Sequence, residues 1–189
     1  MAPRVVAAVV TTIAAVAALS GCEVTQINWG SHYYAVSQSC EHAGAATLVN
    51  GSGVFSYPAP YQLDGVGHTR ITLQKVYYGD LNHDGVQDAV VLLACSDADG
   101  GNGVGREIQI FTRDAKPVAR LVQPDRYGSG NPFGSQFNPN NLGVHNNVLY
   151  TGAWGYLPGD PHCCPSAYDV YRWDWNGSGF TPVDVQTNP

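Results

Sequence analysis

From residue 30 onward, the apolar and aromatic runs of this chain are short, and glycine, asparagine, aspartate or proline interrupts them. Short runs bounded by turn-forming residues are typical of β-strands joined by tight turns. The 22 glycines, 12 prolines and 11 tyrosines agree with this pattern, because turns favour the first two and strands favour aromatic residues. We therefore predict one all-β domain over residues 31–189, an antiparallel meander of hairpins packed as a sandwich or as an open barrel.

Four hairpins can be placed from these runs. Their strands are predicted at residues 46–49 and 54–57, 71–78 and 89–94, 107–112 and 118–122, and 168–175 and 180–185. Asn50-Gly51 and Asn176-Gly177 supply the positive φ angles that tight hairpin turns require. Residues 123–142 are polar and rich in Gly, Asn and Pro, so we predict a long loop there, with a second irregular segment at 156–166.

The N-terminus has the layout of a bacterial lipoprotein signal. A short basic head ends at Arg4, an apolar run follows, and Leu19-Ser20-Gly21 leads to Cys22. The run is about 15 residues long, whereas a membrane-spanning helix needs roughly 20. We predict a signal peptide at 1–21, a lipidated Cys22 and a tether at 22–30. Secretion without lipid and an uncleaved anchor are the alternatives.

This interpretation places the protein on the extracytoplasmic face of the cell membrane. A diacylglyceryl group on the cysteine would supply the two acyl chains that stable anchoring needs. The chain has a net charge of −6, and its two lysines are Lys75 and Lys116. With no basic patch in the sequence, we exclude nucleic acid as a partner, and the lipid rather than surface charge must hold the protein at the membrane.

An acylated Cys22 leaves an even number of cysteines. In an oxidising compartment four cysteines predict two disulfides. A bridge between adjacent cysteines closes a strained ring, so we expect each of the last two to bond a distant partner. The other pairing joins the first two and leaves a vicinal bridge. The four cysteines are Cys40, Cys95, Cys163 and Cys164.

Residues 80–88 carry the strongest chemical signal. Oxygen-bearing side chains stand at positions 1, 3, 5 and 9 of this segment, and Gly85 permits a sharp turn at position 6. Calcium prefers six to eight hard oxygen ligands, which alternate residues of a tight loop can supply. We expect one structural calcium ion, with a metal-free acidic turn as the alternative. The predicted ligands are the side chains of Asp80, Asn82, Asp84 and Asp88 and the backbone carbonyl of Val86.

The same segment resembles the calcium loops of FG-GAP repeats, VCBS-type repeats and dockerins. These loops share an Asp-x-Asp/Asn-x-Asp-Gly-x-x-Asp pattern, which Asp80, Asn82, Asp84 and Asp88 match position by position. The resemblance covers residues 77–93 and occurs once in the chain. It therefore implies a local calcium site and not a propeller built from such repeats.

Aromatic residues suggest a second site, a stacking surface for glycans or peptides. Trp173 and Trp175 are assigned instead to core or cross-strand packing, because they share one strand face with Tyr171. The predicted surface comprises Tyr127, Phe133, Phe137, Trp154 and Tyr156.

The C-terminal part of the chain resembles a group of actinobacterial secreted lipoproteins without an assigned activity. The resemblance rests on Cys163-Cys164-Pro165 and on the Tyr171-Arg172-Trp173 hairpin, together with a Gly-Asp-x-x-x-Asp-Gly loop before an apolar strand. It runs loosely from about Tyr33 to Phe180 and implies a surface lipoprotein.

Motifs for catalysis are weak in this sequence. The six histidines form no zinc-binding spacing, and no Gly-x-Ser-x-Gly elbow is present. Every Asp and Glu except Glu107 lies near a predicted turn or terminus. We expect a non-catalytic binding or structural role at the cell envelope, with a glycan or an envelope protein as partner. The alternative is an envelope hydrolase acting on glycan or peptide.

Overall fold

A computed structural model describes residues 27–40, 42–100, 104–124, 136–161 and 164–188. Within these ranges no helix is long and apolar enough to span a membrane. Single 3-10 turns lie at Trp29–Ser31 and Gln38–Cys40. The strands are β1 (Tyr33–Val36), β2 (Gly44–Thr47), β3 (Ser52–Pro58), β4 (Val66–Gly79), β5 (Asp88–Asp97), β6 (Val104–Phe111), β7 (Pro117–Leu121), β8 (Gln136–His145), β9 (Val148–Gly155), β10 (Ala167–Trp175) and β11 (Phe180–Asn188).

The all-β prediction is confirmed. Strands β3 to β7 form a five-stranded antiparallel sheet in sequence order, and β8 to β11 form a four-stranded antiparallel sheet in the same manner. Strands β1 and β2 pair separately as a third, two-stranded sheet. Each larger sheet is thus a meander, and the two sheets face each other across a shared apolar core.

Strand β5 lies at the centre of the five-stranded sheet and is buried on both faces. Val90 and Leu92 point into the core shared with the four-stranded sheet. Val91 and Leu93 point the other way, into a second core beneath β1 and β2. Successive side chains of a strand alternate between faces, so only a strand covered on both sides buries such an unbroken apolar run.

The second core extends further toward the N-terminus than the sequence indicated. Trp29 and Ile27, placed in the predicted tether, both pack into this core, and Trp29 is buried. Its indole Nε1 donates a hydrogen bond of 3.0 Å to the hydroxyl of Tyr78 on β4. The folded domain therefore begins before the predicted boundary at residue 31. Residues 1–26, including Cys22, lie outside the described residues.

The disulfide pairing favoured by the sequence is wrong. Cys40 bonds Cys95, with a Cα–Cα distance of 5.2 Å and 55 residues between them in sequence. The 3-10 turn ending at Cys40 packs on β5 and β6, and the backbone oxygen of Ser39 approaches Gly105, which pairs with Cys95. Cys164 is also disulfide-bonded. Cys163 lies outside the described residues.

The predicted loop at 123–142 is only partly correct. Its last residues belong to β8, which pairs with β9 through the two-residue turn Asn146-Asn147. Both asparagines have positive φ angles, 51° and 62°, as tight hairpin turns require. Three of the four hairpins placed from the sequence occur, as β4–β5, β6–β7 and β10–β11. The hairpin predicted at 46–49 and 54–57 is wrong, because β2 pairs with β1 and β3 pairs with β4 in separate sheets; an isolated bridge between Val49 and Ser52 closes the turn between them.

Replacing Cys40 and Cys95 together with alanine should lower the free energy of unfolding by about 2–4 kcal/mol, because the bridge restricts a long loop of the unfolded chain. Denaturant unfolding of the full-length protein measures the change. A loss below about 0.5 kcal/mol, the range of ordinary surface substitutions, would contradict the structural role of this bridge.

Candidate functional site

The acidic segment forms the turn between β4 and β5 and is closed by its own side chains. The two carboxylate oxygens of Asp80 accept hydrogen bonds from the backbone N–H groups of Asp84 and Gly85, at 3.0 and 3.1 Å. Asn82 Oδ1 also accepts from the N–H of Asp84 at 3.0 Å, and Asp84 Oδ1 accepts from that of Val86 at 2.8 Å. Three of the predicted ligand side chains, those of Asp80, Asn82 and Asp84, therefore point into the same turn.

Left-handed backbone makes this closure possible. His83 has a φ of 61° and Gly85 a φ of 85°. A side chain built on Gly85 would meet no atom within 4 Å, so its backbone conformation and not crowding is what favours glycine there.

The base of the acidic turn contacts the opposite sheet. Leu81 is buried in the core between the two sheets. The N–H of Asp80 donates to Asn147 Oδ1 in the β8–β9 turn at 3.2 Å. A Cβ on Gly79 would lie 2.6 Å from Val144 of β8. The acidic turn is thus one of the links that join the two sheets at this end of the sandwich.

Asp88, the last of the predicted ligands, sits in a different environment from the others. Its side chain is buried, and its Oδ2 accepts a hydrogen bond of 3.1 Å from the N–H of Leu81. Burial raises the pKa of this carboxyl, and the negative charges of Asp84 and Asp80 raise it further, whereas backbone hydrogen bonds oppose the shift. A cation in the turn would relieve this repulsion.

The donor set fits a hard cation in its chemistry. Residues 80–88 carry four oxygen-bearing side chains at the spacing of calcium loops, and oxygen is the ligand atom that calcium prefers. In the part of the chain that the structure describes, no three His, Cys, Asp or Glu side chains stand together as a metal-binding group. In this geometry the carboxylates of Asp80 and Asp84 instead accept backbone N–H groups of the turn.

Two of the five residues predicted for the aromatic surface are buried. Phe137 is only 3% exposed and Tyr156 only 6%, so both belong to the interior and neither offers a stacking surface. Phe137 packs near Trp173 with ring centroids 6.4 Å apart. Trp154 remains accessible, with 39% of its surface exposed. Tyr127 and Phe133 lie outside the described residues.

The assignment of the paired tryptophans to packing is consistent with the structure. Trp173 is buried between the sheets, and its Nε1 donates a hydrogen bond of 2.9 Å to Thr151 Oγ1. Tyr171 lies in the same core. Trp175 contacts Phe180 across the final hairpin, with centroids 5.0 Å apart.

Two shallow grooves lie on and beside the four-stranded sheet, near Trp154 and Tyr150. Their volumes are about 450 and about 550 Å³, and Asn140 borders both. The smaller groove is lined by Arg106, Asn138, Pro139, Asn140, Trp154 and Pro165. Asn138 and Asn140 fall within the loop predicted at 123–142. The signal that could have located them was the Asn146-Asn147 turn, which implies a strand on each side.

Glu107 is the one fully buried carboxylate on β6, and its partners are structural. It accepts hydrogen bonds from the N–H and hydroxyl of Ser37, from Ser39 Oγ and from Gln109 Nε2, and it pairs with Arg120 at 2.8 Å. Gln109 and Arg120 both also donate to the backbone oxygen of Ala35. This network fastens the segment after β1 to the five-stranded sheet and leaves Glu107 no surface for a substrate.

Comparisons of the chain with protein-family models, with curated protein sequences and with solved structures gave no match. Function must therefore be argued from the residues and their geometry.

In calcium-free buffer, Asp88→Asn should make the protein more stable at neutral pH. Because the folded-state pKa of Asp88 is raised, the stability linked to its protonated form is present at low pH and is lost as the pH rises through that pKa. Asparagine remains neutral throughout. Urea unfolding with a chelator should show an advantage for the variant at about pH 7 that disappears near pH 4. A variant that is less stable at both pH values would contradict this account.

Proposed function

We propose that the protein is a lipoprotein of the cell envelope, anchored through Cys22 to the extracytoplasmic face of the membrane. The observation that supports this proposal is the N-terminal sequence, in which a basic head and an apolar run lead to Leu19-Ser20-Gly21-Cys22. A disulfide between Cys40 and Cys95 is compatible with an oxidising compartment.

The role that we propose for the β domain is binding or structural, without catalysis. A catalytic carboxylate has to reach its substrate, yet Glu107 is fully buried and hydrogen-bonded within the fold. Among the described residues, the exposed His68–Asp99 pair is held at 3.1 Å beside a turn and lines neither of the two grooves. No specific observation in the described ranges favours the alternative of an envelope hydrolase.

We further propose that the turn at residues 80–88 holds one structural calcium ion. The support is the arrangement of Asp80, Asn82 and Asp84 around one turn, with the buried carboxyl of Asp88 close enough to be affected by its acidic neighbours. An ion there would stiffen the turn that connects the two sheets, because Leu81 lies in the shared core. Its role would be stabilising.

Replacing Cys22 with serine should abolish lipidation, because the thiol is the acceptor of the diacylglyceryl group. The expected result is loss of radiolabelled fatty acid incorporation and transfer of the protein from the detergent phase to the aqueous phase in cloud-point partitioning. Cys164→Ser is the control and should keep its acyl group. A Cys22→Ser protein that still carries labelled lipid would overturn the proposed anchor.

Calorimetric titration of the full-length protein with calcium should show one site with a dissociation constant of about 10⁻⁴–10⁻³ M, the range of extracellular modules. At 10 times to 100 times that concentration, calcium should add about 1.4–2.7 kcal/mol to the free energy of unfolding. Asp84→Ala should remove both effects. Asp114→Ala, which removes a carboxylate from the exposed β6–β7 turn, should leave them unchanged. Absence of heat at millimolar calcium would refute the site.

A further inference from the structure

The side of the four-stranded sheet that faces away from the shared core carries an unusual set of residues. Along β9 and β10 the core-facing positions are buried, while Tyr150, Trp154 and Tyr168 point outward and are at least partly accessible. Asn138 of β8 pairs with Gly152 of β9 and so shares that side. We call this side of β8, β9 and β10 the outer face.

Two aromatic rings form the centre of the outer face. Trp154 and Tyr168 are direct cross-strand partners, with ring centroids 4.8 Å apart and ring planes inclined at 59°. Gly152 leaves room for the Tyr168 ring on this face. A Cβ at that position would lie 2.1 Å from the Tyr168 hydroxyl and 2.6 Å from Asn141 Cβ. Tyr168 therefore lies over the glycine, and the exposed indole stands next to it.

The amide side chains of Asn138 and Asn140 lie beside these rings, and hydrogen bonds of the β8 backbone position them. Asn138 Oδ1 accepts a hydrogen bond of 3.0 Å from the N–H of Asn140, which shapes the irregularity of β8. Lys75 Nζ on β4 donates to the backbone oxygen of Pro139 at 2.6 Å and ties this segment to the opposite sheet. Asn140 in turn borders both grooves. The polar groups beside Trp154 are thus positioned by the fold.

The outer face is close to electrically neutral. Arg172 and Asp174 form a two-contact ion pair with distances of 2.8 and 2.7 Å, so their charges offset each other. Arg106, at the rim of the smaller groove, is half-buried and stays positively charged, but it belongs to β6 and not to the outer face. Accessible aromatic rings, neutral amides and balanced charge match a ligand that is itself uncharged and carries both apolar faces and hydroxyl groups.

We propose that the outer face binds an uncharged oligosaccharide of pyranose sugars, with Trp154 as the stacking residue. The C–H face of a sugar ring packs against an indole, while its hydroxyl groups exchange hydrogen bonds with Asn138 and Asn140, whose amides both donate and accept. A concave surface with aromatic lining and a few positioned polar groups is typical of small-molecule sites. This assignment rests on the proposed envelope location and names the class of partner.

The geometry favours a sugar chain over a peptide. Extended peptides commonly bind by adding a strand to a sheet edge, but Trp154 lies on β9, which is paired on both sides by β8 and β10. Tyr150 lies four residues from Trp154 on the same strand, about 13 Å away at the usual rise per residue. The second groove, which Tyr150 lines, continues the site in that direction. A chain of several sugar units therefore fits better than a monosaccharide.

Calorimetry of the full-length protein in a detergent without sugar groups tests the proposal. The probes are three hexasaccharides, made of β-1,4-linked glucose, α-1,4-linked glucose and N-acetylglucosamine, and a proline-rich peptide as the competing class. At least one hexasaccharide should bind, and Trp154→Ala should weaken its binding about tenfold or more, as expected for a central aromatic contact. Asn138→Ala should weaken it less.

Two further variants make the result specific. Gly152→Val should weaken binding by displacing Asn141 and Tyr168, whose ring contacts Trp154. Tyr61→Ala removes a fully exposed aromatic ring from the β3–β4 turn and should leave binding unchanged. Circular dichroism and melting temperature confirm that each variant is folded.

Several outcomes would overturn the proposal: no binding of any hexasaccharide at millimolar concentration, equal loss of binding in Tyr61→Ala, or Trp154-dependent binding of the peptide alone. Failure of the envelope location is distinguishable, since a protein without a lipid on Cys22 would still show Trp154-dependent sugar binding. A lipidated protein that binds no sugar would contradict only the outer face assignment.

Discussion

The layered packing of this domain follows from the apolar run of strand β5. Because Val90 and Leu92 face one way and Val91 and Leu93 the other, the five-stranded sheet needs a cover on both faces. The four-stranded sheet covers one face. The smaller β1–β2 layer covers the other and is fastened by a disulfide and by the polar network around Glu107. The other side of the four-stranded sheet carries the exposed Trp154.

The contacts between the two large sheets also position the candidate sites. The acidic turn inserts Leu81 into the shared core and meets the β8–β9 turn through Asn147. Lys75, on the opposite sheet, donates a hydrogen bond to the backbone oxygen of Pro139. The proposed calcium site and the outer face thus depend on the same β8–β9 hairpin. A rigid scaffold that positions polar groups in this way favours recognition, because little ordering is needed when a ligand binds.

The parts of the fold that could be predicted from the sequence are those set by local residue type, namely tight turns and a continuous apolar strand. Asn50-Gly51 and Asn176-Gly177 located two turns, and the apolar run of β5 located its hairpin. Strand β8 was missed because it is polar and contains Pro139, and its pairing is set by β9 and not by its own pattern. The burial of Phe137 depends on the opposing sheet, and the Cys40–Cys95 pairing on how a short turn packs on β5. Both are tertiary effects, which residue spacing does not encode.

We infer that the four-stranded sheet presents the binding surface while the five-stranded sheet serves as scaffold. Hydrogen–deuterium exchange of the full-length protein, with and without a hexasaccharide that binds it, distinguishes the roles of the two sheets. We expect slower exchange in peptides from β8 (Gln136–His145) and β9 (Val148–Gly155) when sugar is present, with no change in β3 (Ser52–Pro58) or β7 (Pro117–Leu121). Protection confined to the five-stranded sheet, or to the β1–β2 layer, would contradict it.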